Sequence, residues 1–430
     1  MASTTPAVQL EICGDWQLHV TRKGETNTVR LSVSPPAIRH VVAEPCLPMP
    51  VFNPNAGGWM KGYRLKQVRT QETSAKGSLV PDSLQLRAGP GTDAPLLQPG
   101  TDCQVDLEWG TLGWPALTAN QEAPAAVQEV RVAFASYSYG ESRLDSIVGM
   151  ADGQIVIREG NPHVTVPNPP ALKAGETLLA NVWLPVRVAK LTPDHLFPIL
   201  EAGYPVPPVR GEAVAKTMLP KSYAKLLNGE PFTILAWGDS VTDGSFLPDP
   251  ATERWQDQFV ARLREKFPKA RITLITEAWG GRNTDSYRAE PPGSPHNYKE
   301  KVLAVKPDLI VSEFVNDGWM TAEVTHERYG VILEEFRGIG AEWIILTPHY
   351  ILPEWMGVSR LREIDDDPRG YVKGLRAFAA ANHVALADAS LRWGRLWRQG
   401  IPYMTLMLNA INHPDVRGMR LFADSLMELF

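Results

Sequence analysis

The chain has 430 residues, of which 43 are Lys or Arg and 48 are Asp or Glu, a formal net charge of −5. That balance excludes the basic footprint of a nucleic-acid surface and the basic clusters that dock on anionic membranes, and 44% hydrophobic with 21% charged residues excludes disorder as the dominant state. Proline makes up 37 of the 430 residues, well above the usual ~5%, which points to loops and strand edges rather than a helical bundle.

The length gives a prior of two or three domains. The opening MASTTPAVQLEICGDW has neither a basic n-region nor an apolar h-region, so no secretory signal is expected. No apolar run reaches the ~18 residues needed to span a bilayer, so no membrane insertion is expected. Cys13, Cys46 and Cys103 are odd in number and scattered, and no CxxC is present. They read as reduced, buried thiols, with one disulfide as the alternative.

The first half reads as β. Residues 29–33 alternate, with Val29, Leu31 and Val33 on one face. Residues 127–140 place Val130, Val132 and Phe134 on one face, and 154–160 and 176–188 continue the pattern. Turn signals at 56–58, 88–91, 98–100 and 151–153 separate the runs. Short alternating strands between Gly- and Pro-rich breaks predict an all-β, sandwich or jelly-roll-like domain over residues 1–208. AGYPVPPVRG at 202–211, with prolines at 205, 207 and 208, reads as an interdomain linker.

From 209 to 430 strands alternate with helices. Residues 232–240, 271–281, 307–317 and 342–349 are apolar runs that end in polar loops, and HVALADAS is a fifth. Between them, Trp255, Phe259, Leu263 and Phe267 form one helical stripe, and Tyr329, Ile332, Leu333 and Phe336 another. Further helices are expected over 369–381 and from about Asp415 to the end. Five such alternations predict a parallel sheet with helices on both faces, a three-layer α/β domain. In such sheets the site lies outside the carboxyl ends of the strands.

Those ends are informative. They carry Gly238-Asp239-Ser240, Gly280-Gly281-Arg282-Asn283 and Asn316-Asp317, and Asn412-His413-Pro414 comes late in the chain. Acyl transfer needs a hydroxyl nucleophile with a base to take its proton. It also needs preorganised donors for the oxyanion. A strand-end serine, a glycine turn, an asparagine and a late histidine are those parts. Asp239, next to the serine, is expected to hold the loop by hydrogen bonds rather than react.

At these residues the second half resembles the GDSL-type esterases, or SGNH hydrolases. ILAWGDSVTDGS is similar to the first block of that superfamily, EAWGGRNTDSY to the second, DLIVSEFVNDGW to the third and AINHPDVRGM to the last. The resemblance covers roughly residues 230–430 and implies a flavodoxin-like catalytic domain. It implies Ser240 as nucleophile, His413 as base, and Ser240, Gly281 and Asn316 as oxyanion donors. No metal or other cofactor is implied. Two positions depart from the pattern. Phe314 stands where Gly is common, and Ala410 stands where an Asp usually orients the histidine three residues on. Asn409, a backbone carbonyl, or an acid from elsewhere such as Asp388 are the alternatives for that part.

Trp279, Arg282, Tyr287, Trp319 and His349 fall at or just after strand ends and are candidate substrate contacts. Aromatic faces with a few polar groups suit sugar rings, and the glycine-arginine pair and the Asn-rich last block are similar to the carbohydrate-acetylesterase branch. The expected activity is hydrolysis of an O-acetyl ester on a carbohydrate through an acyl-enzyme. A short-chain lipid or thioester hydrolase is the alternative within the family, and a non-catalytic glycan-binding protein the alternative outside it. The sequence leaves the oligomeric state and the compartment open, cytoplasmic as written or exported if a signal has been removed.

Overall fold

The computed structural model describes residues 7–116, 132–205 and 212–430. Val130, the start of the 127–140 run, the linker prolines at 207 and 208, and the expected 208/209 boundary lie outside the described residues. Two compact units emerge from the described chain. One is Met1–Ala202 with Arg398–Ile411; the other is Gly203–Trp397 with Asn412–Phe430.

The first unit is all-β in its regular structure apart from short 3-10 turns. Its described strands form small sheets of three or four strands, and every pairing within them is antiparallel. The pairing of Arg143–Gly149 with Thr177–Leu184 is among the longest. The strand Ala133–Gly140 buries Ala133, Ala135, Tyr137 and Tyr139. The expected face of Phe134 is thus the less buried one, because the tyrosines fill the core and the Tyr137 hydroxyl donates to buried Glu44 at 2.6 Å. Cys46 and Cys103 are buried, Cys13 is partly exposed, and all three are free thiols. The returning stretch Arg398–Ile411 is tied in by Asn181 Nδ2, which donates to the Gly400 carbonyl at 2.8 Å.

The second unit is built on five parallel strands. They are β1 (Pro231–Gly238), β2 (Arg271–Ala278), β3 (Leu309–Glu313), β4 (Glu342–Leu346) and β5 (Ala385–Ala387), in the order β2-β1-β3-β4-β5. The order reverses between β1 and β3, which is where ligands sit in open α/β sheets. Gly238 pairs with both Ala278 and Glu313. The ends of β1, β2 and β3 are therefore level, and the loops that follow emerge side by side.

The helices that matter to the site are α1 (Ser240–Asp243), α2 (Trp255–Lys266), α3 (Thr284–Ala289), α4 (Ala322–Ile339), α5 (Gly370–Asn382), α6 (Ala389–Arg395) and α7 (Val416–Met427). The expected stripes face inward: Trp255, Phe259 and Leu263 on α2, and Tyr329, Ile332, Leu333 and Phe336 on α4, are buried. Thr321 caps α4 at its start and Gly340, at φ 80, ends it in the left-handed conformation. No helix among the described residues is long and apolar enough to cross a membrane.

Trp237 on β1 is the hub of one core layer. Phe314, Tyr298, Tyr287 and Phe336 ring it at centroid distances of 4.7, 5.3, 5.6 and 5.9 Å. Trp237→Ala should lower unfolding stability by about 3–5 kcal/mol, the usual cost of truncating a buried aromatic. Trp237→Phe should cost much less, because the indole N–H makes no hydrogen bond among the described residues. Denaturant titration of the two variants checks this.

Candidate active site

The chain leaves β1 through a tight turn that tolerates no side chain at Gly238. A Cβ there would lie 2.1 Å from Thr242 Oγ1 and 2.4 Å from the Glu313 carbonyl oxygen. Asp239 follows as the N-cap of α1, its Oδ1 accepting the Val241 N–H at 3.0 Å. Ser240 is thus the first residue of a one-turn helix at the edge of the sheet. Its Oγ lies 2.9 Å from His413 Nε2, within hydrogen-bond reach of a general base.

The β2 loop is anchored to the same turn. The Gly238 carbonyl accepts both the Trp279 N–H at 3.1 Å and the Tyr287 hydroxyl at 3.0 Å. Gly281 has φ 72, a left-handed conformation that favours glycine, and nothing lies within 4 Å of where its Cβ would be. The β3 loop is bound by Asp239, whose Oδ2 accepts the Asn316 N–H at 2.9 Å. Asn316 Nδ2 donates to the Arg282 carbonyl at 3.2 Å, which aims its amide at the β2 loop next to Gly281. Ser240, Gly281 and Asn316 therefore stand on three adjacent, cross-linked loops.

Three carboxyl groups are buried around these loops. Burial pushes Asp239 up to about 6, against the pull of the Val241 and Asn316 N–H groups and the charge of His413. Burial pushes Asp317 up to about 7, although it accepts from the Thr284 hydroxyl at 3.1 Å and the Tyr329 hydroxyl at 3.1 Å. Glu313 is raised well above the ordinary carboxyl value by burial and by Asp239, and neither of its oxygens has a hydrogen-bond partner among the described residues.

His413 is held on several sides. Its ring stacks on Phe246 at 4.2 Å and 12°. Pro414 follows and restricts its backbone to extended conformations. Asp415 then caps α7, accepting the N–H groups of Arg417 and Gly418. The carbonyl of the preceding residue, Asn412, lies 2.7 Å from His349 Nε2.

The predicted substrate contacts divide. Trp319 is 56% exposed. Arg282 is exposed and lies 5.1 Å over the half-buried Trp279 ring, which also stacks on His296 at 4.7 Å. Tyr287 and His349 are corrected: both are fully buried and cannot meet a ligand. Tyr287 lies on the inner face of α3 with its hydroxyl on Gly238, and His349 turns inward between Trp393 and Phe422. Asn409 belongs to the first unit, where its Oδ1 accepts the Ile411 N–H at 3.0 Å. Asp388 caps α6 and pairs with Arg376 at 2.8 Å.

Sequence reasoning missed Phe246, Arg369 and Trp355. Trp355 is 52% exposed and sits on a short turn of helix, Pro353–Met356, with no periodic signal to mark it. With Trp319, Asn316, Asn412, Ile351 and Arg369 it lines an open cleft of about 320 Å³. Among the described residues no cluster of His, Cys, Asp and Glu could hold a metal ion.

Residues 236–421 match the model of the GDSL-like Lipase/Acylhydrolase family. No curated protein matches the sequence. Among solved structures, the chain is similar to a two-domain esterase active on acetylated mannans, at 15% identity over 49% of this chain and 52% of that one, with a TM-score of 0.39. The chain thus spans about half the length of that protein. It is also similar to a catalytic mutant of an acetylxylan esterase from Geobacillus stearothermophilus, at 18% identity over 46% of this chain and 92% of that one, with a TM-score of 0.36.

The buried carboxyls set a pH dependence of stability. An unfolded Asp titrates near 3.9, whereas Asp317 titrates at about 7. Between those values the native state binds more protons than the unfolded one, so the group favours the fold at low pH and that contribution is lost as pH rises toward 7. Asp317→Asn, which keeps an acceptor for Thr284, should flatten this fall. Urea midpoints of both proteins at pH 4.5, 6 and 7.5 test it, and equal slopes would refute the assignment.

Proposed function

Because residues 236–421 carry the GDSL-like lipase/acylhydrolase pattern, we propose that the protein is a serine ester hydrolase that removes O-acetyl groups from a carbohydrate. The observation that carries the chemistry is the 2.9 Å approach of Ser240 Oγ and His413 Nε2 at the level ends of β1, β2 and β3.

In the proposed cycle His413 Nε2 takes the Ser240 hydroxyl proton as Oγ bonds to the acetyl carbon. The carbonyl π pair moves onto oxygen. That oxyanion is met by the N–H groups of Ser240 and Gly281 and by the Asn316 amide. A preorganised donor of this kind is typically worth about 2.7–4 kcal/mol. The tetrahedral species collapses as its bond to the sugar oxygen breaks, and His413 passes its proton to that oxygen. Water then attacks the acetyl-enzyme, losing a proton to His413, and acetate departs as Ser240 recovers its hydrogen. None of these steps calls for a metal ion.

The carbohydrate part of the reading is supported by the cleft. Trp319 and Trp355 are the aromatic members of the exposed large hydrophobic residues among those described, and both line it. Two exposed indole faces with asparagine amides beside them suit a ring with apolar C–H faces and a hydroxyl rim. An acyl-chain tunnel would be aliphatic and enclosed.

Ser240→Ala should abolish acetate release from 4-nitrophenyl acetate by at least about a thousandfold, and Asn316→Ala should lower kcat by about 10²–10³-fold. Trp319→Ala and Trp355→Ala should each lower the ratio of kcat/KM on acetylated xylan or mannan oligomers to that on 4-nitrophenyl acetate, by about tenfold. A preference for butyrate or longer esters over acetate would favour the lipid or thioester alternative. A folded wild type without esterase activity would favour the glycan-binding one.

A further inference from the structure

The position at which the resemblance expects an acid, three residues before His413, holds Ala410. The structure offers a different restraint on that loop. His349, which follows β4, is fully buried, and its Nε2 lies 2.7 Å from the Asn412 carbonyl oxygen. A carbonyl oxygen only accepts, so Nε2 carries the proton. The other ring nitrogen, Nδ1, has no hydrogen-bond partner among the described residues. A second proton there would be a buried donor with no acceptor. Burial and the nearby charge of Arg369 accordingly push His349 down to about 3, so it remains a neutral, one-directional donor through the working range.

The donor is itself braced. The His349 carbonyl accepts from Arg369 Nη2 at 2.7 Å. Arg369 is gripped by Asp367, with Nε 2.9 Å from Oδ1 and Nη2 2.5 Å from Oδ2. Asp367 Oδ2 also accepts the Ser390 hydroxyl at 2.8 Å. Trp393 and Phe422 confine the ring at 5.4 and 5.7 Å. The brace therefore joins the β4 loop, the start of α5 and α6.

We infer that His349 is the positioning residue of the proposed base: its hydrogen bond to the Asn412 carbonyl fixes the peptide plane that carries His413. The stack on Phe246 sets the plane of the His413 ring, and the hydrogen bond to the Asn412 carbonyl adds a restraint on the peptide from which that ring projects toward the Ser240 hydroxyl. A shift of ~1 Å at a reacting atom is enough to cost about 10²-fold in rate.

This inference rests on the serine-esterase reading, and its test separates the two. His349→Phe keeps a ring between Trp393 and Phe422 but removes the donor. His349→Gln returns an N–H donor near the Nε2 position. On 4-nitrophenyl acetate His349→Phe should lose at least about tenfold in kcat with KM within about twofold, and His349→Gln should recover most of the loss. If His349→Phe does not fold, His349→Met takes its place in the comparison. A donor-less variant within about twofold of wild-type kcat, or equal losses in it and in His349→Gln, would overturn the inference. So would a loss of that size in Asn409→Ala with none at His349, which would move the orienting part to Asn409. Full activity in His349→Phe beside an inactive Ser240→Ala sinks this inference alone. Activity that survives in Ser240→Ala sinks the esterase reading and this one with it.

Discussion

Two of the three loops at the edge of the parallel sheet are coupled through one buried carboxyl. The backbone ladder between β1 and β3 ends at the pair Gly238–Glu313, and past that point the two loops have no ladder to hold them. Asp239 extends it with a side chain. One oxygen takes the Val241 N–H and so starts the helix that presents Ser240; the other takes the Asn316 N–H from the neighbouring loop. The arrangement places a carboxyl where water cannot reach it, and burial raises it to about 6 despite the N–H groups that it accepts. An apolar residue would avoid the cost but would leave two backbone donors unsatisfied and the two loops uncoupled.

The third loop is held by a different device. Gly238 offers its carbonyl to the Trp279 N–H and the Tyr287 hydroxyl, and the absence of a Cβ is what lets Thr242 and the Glu313 carbonyl close in on it. The end of β1 thus acts through its acid on one side and its carbonyl on the other. Tyr287 also reaches Trp237 at 5.6 Å, so the same ring belongs to the site and to the core. Loosening that core would be felt at Ser240 without any residue of the site being touched.

The sheet and its helices were legible because period and burial agree there. Leu309–Glu313 is buried along its whole length, as its unbroken run requires, and the α4 stripe faces inward as spaced. Ser240, Gly281 and Asn316 lie just past the ends of β1, β2 and β3, where the apolar runs place them, whereas His413 follows no strand and is marked in the sequence only by its residue type and by the last block of the resemblance. What the sequence pattern does not encode is where a side chain turns once the strand has ended. Tyr287 and His349 occupy the same kind of position as Trp319, yet packing draws the first two inward and leaves the third in solvent. In the run 127–140 Val130, Val132 and Phe134 mark one face, whereas from Ala133 on the apolar parity passes to Tyr137 and Tyr139, with Ser136 and Ser138 on the side of Phe134. The grouping of Arg398–Ile411 with the first unit depends on contacts distant in sequence, such as Asn181 with Gly400.

That last point bears on the histidine. The chain leaves the stretch assigned to the first unit at Ile411 and re-enters the second at Asn412, so His413 is the second residue after a crossing. A residue so close to a crossing would ordinarily share the freedom of a connecting loop. Here the restraints begin at once. The Asn412 carbonyl is bound by His349, the His413 ring lies on Phe246, Pro414 narrows the backbone, and Asp415 starts a helix. Each of these partners belongs to the second unit. Four consecutive residues are thereby anchored by four unlike interactions. Ala410 itself holds φ 59, a left-handed conformation that an alanine side chain does nothing to stabilise.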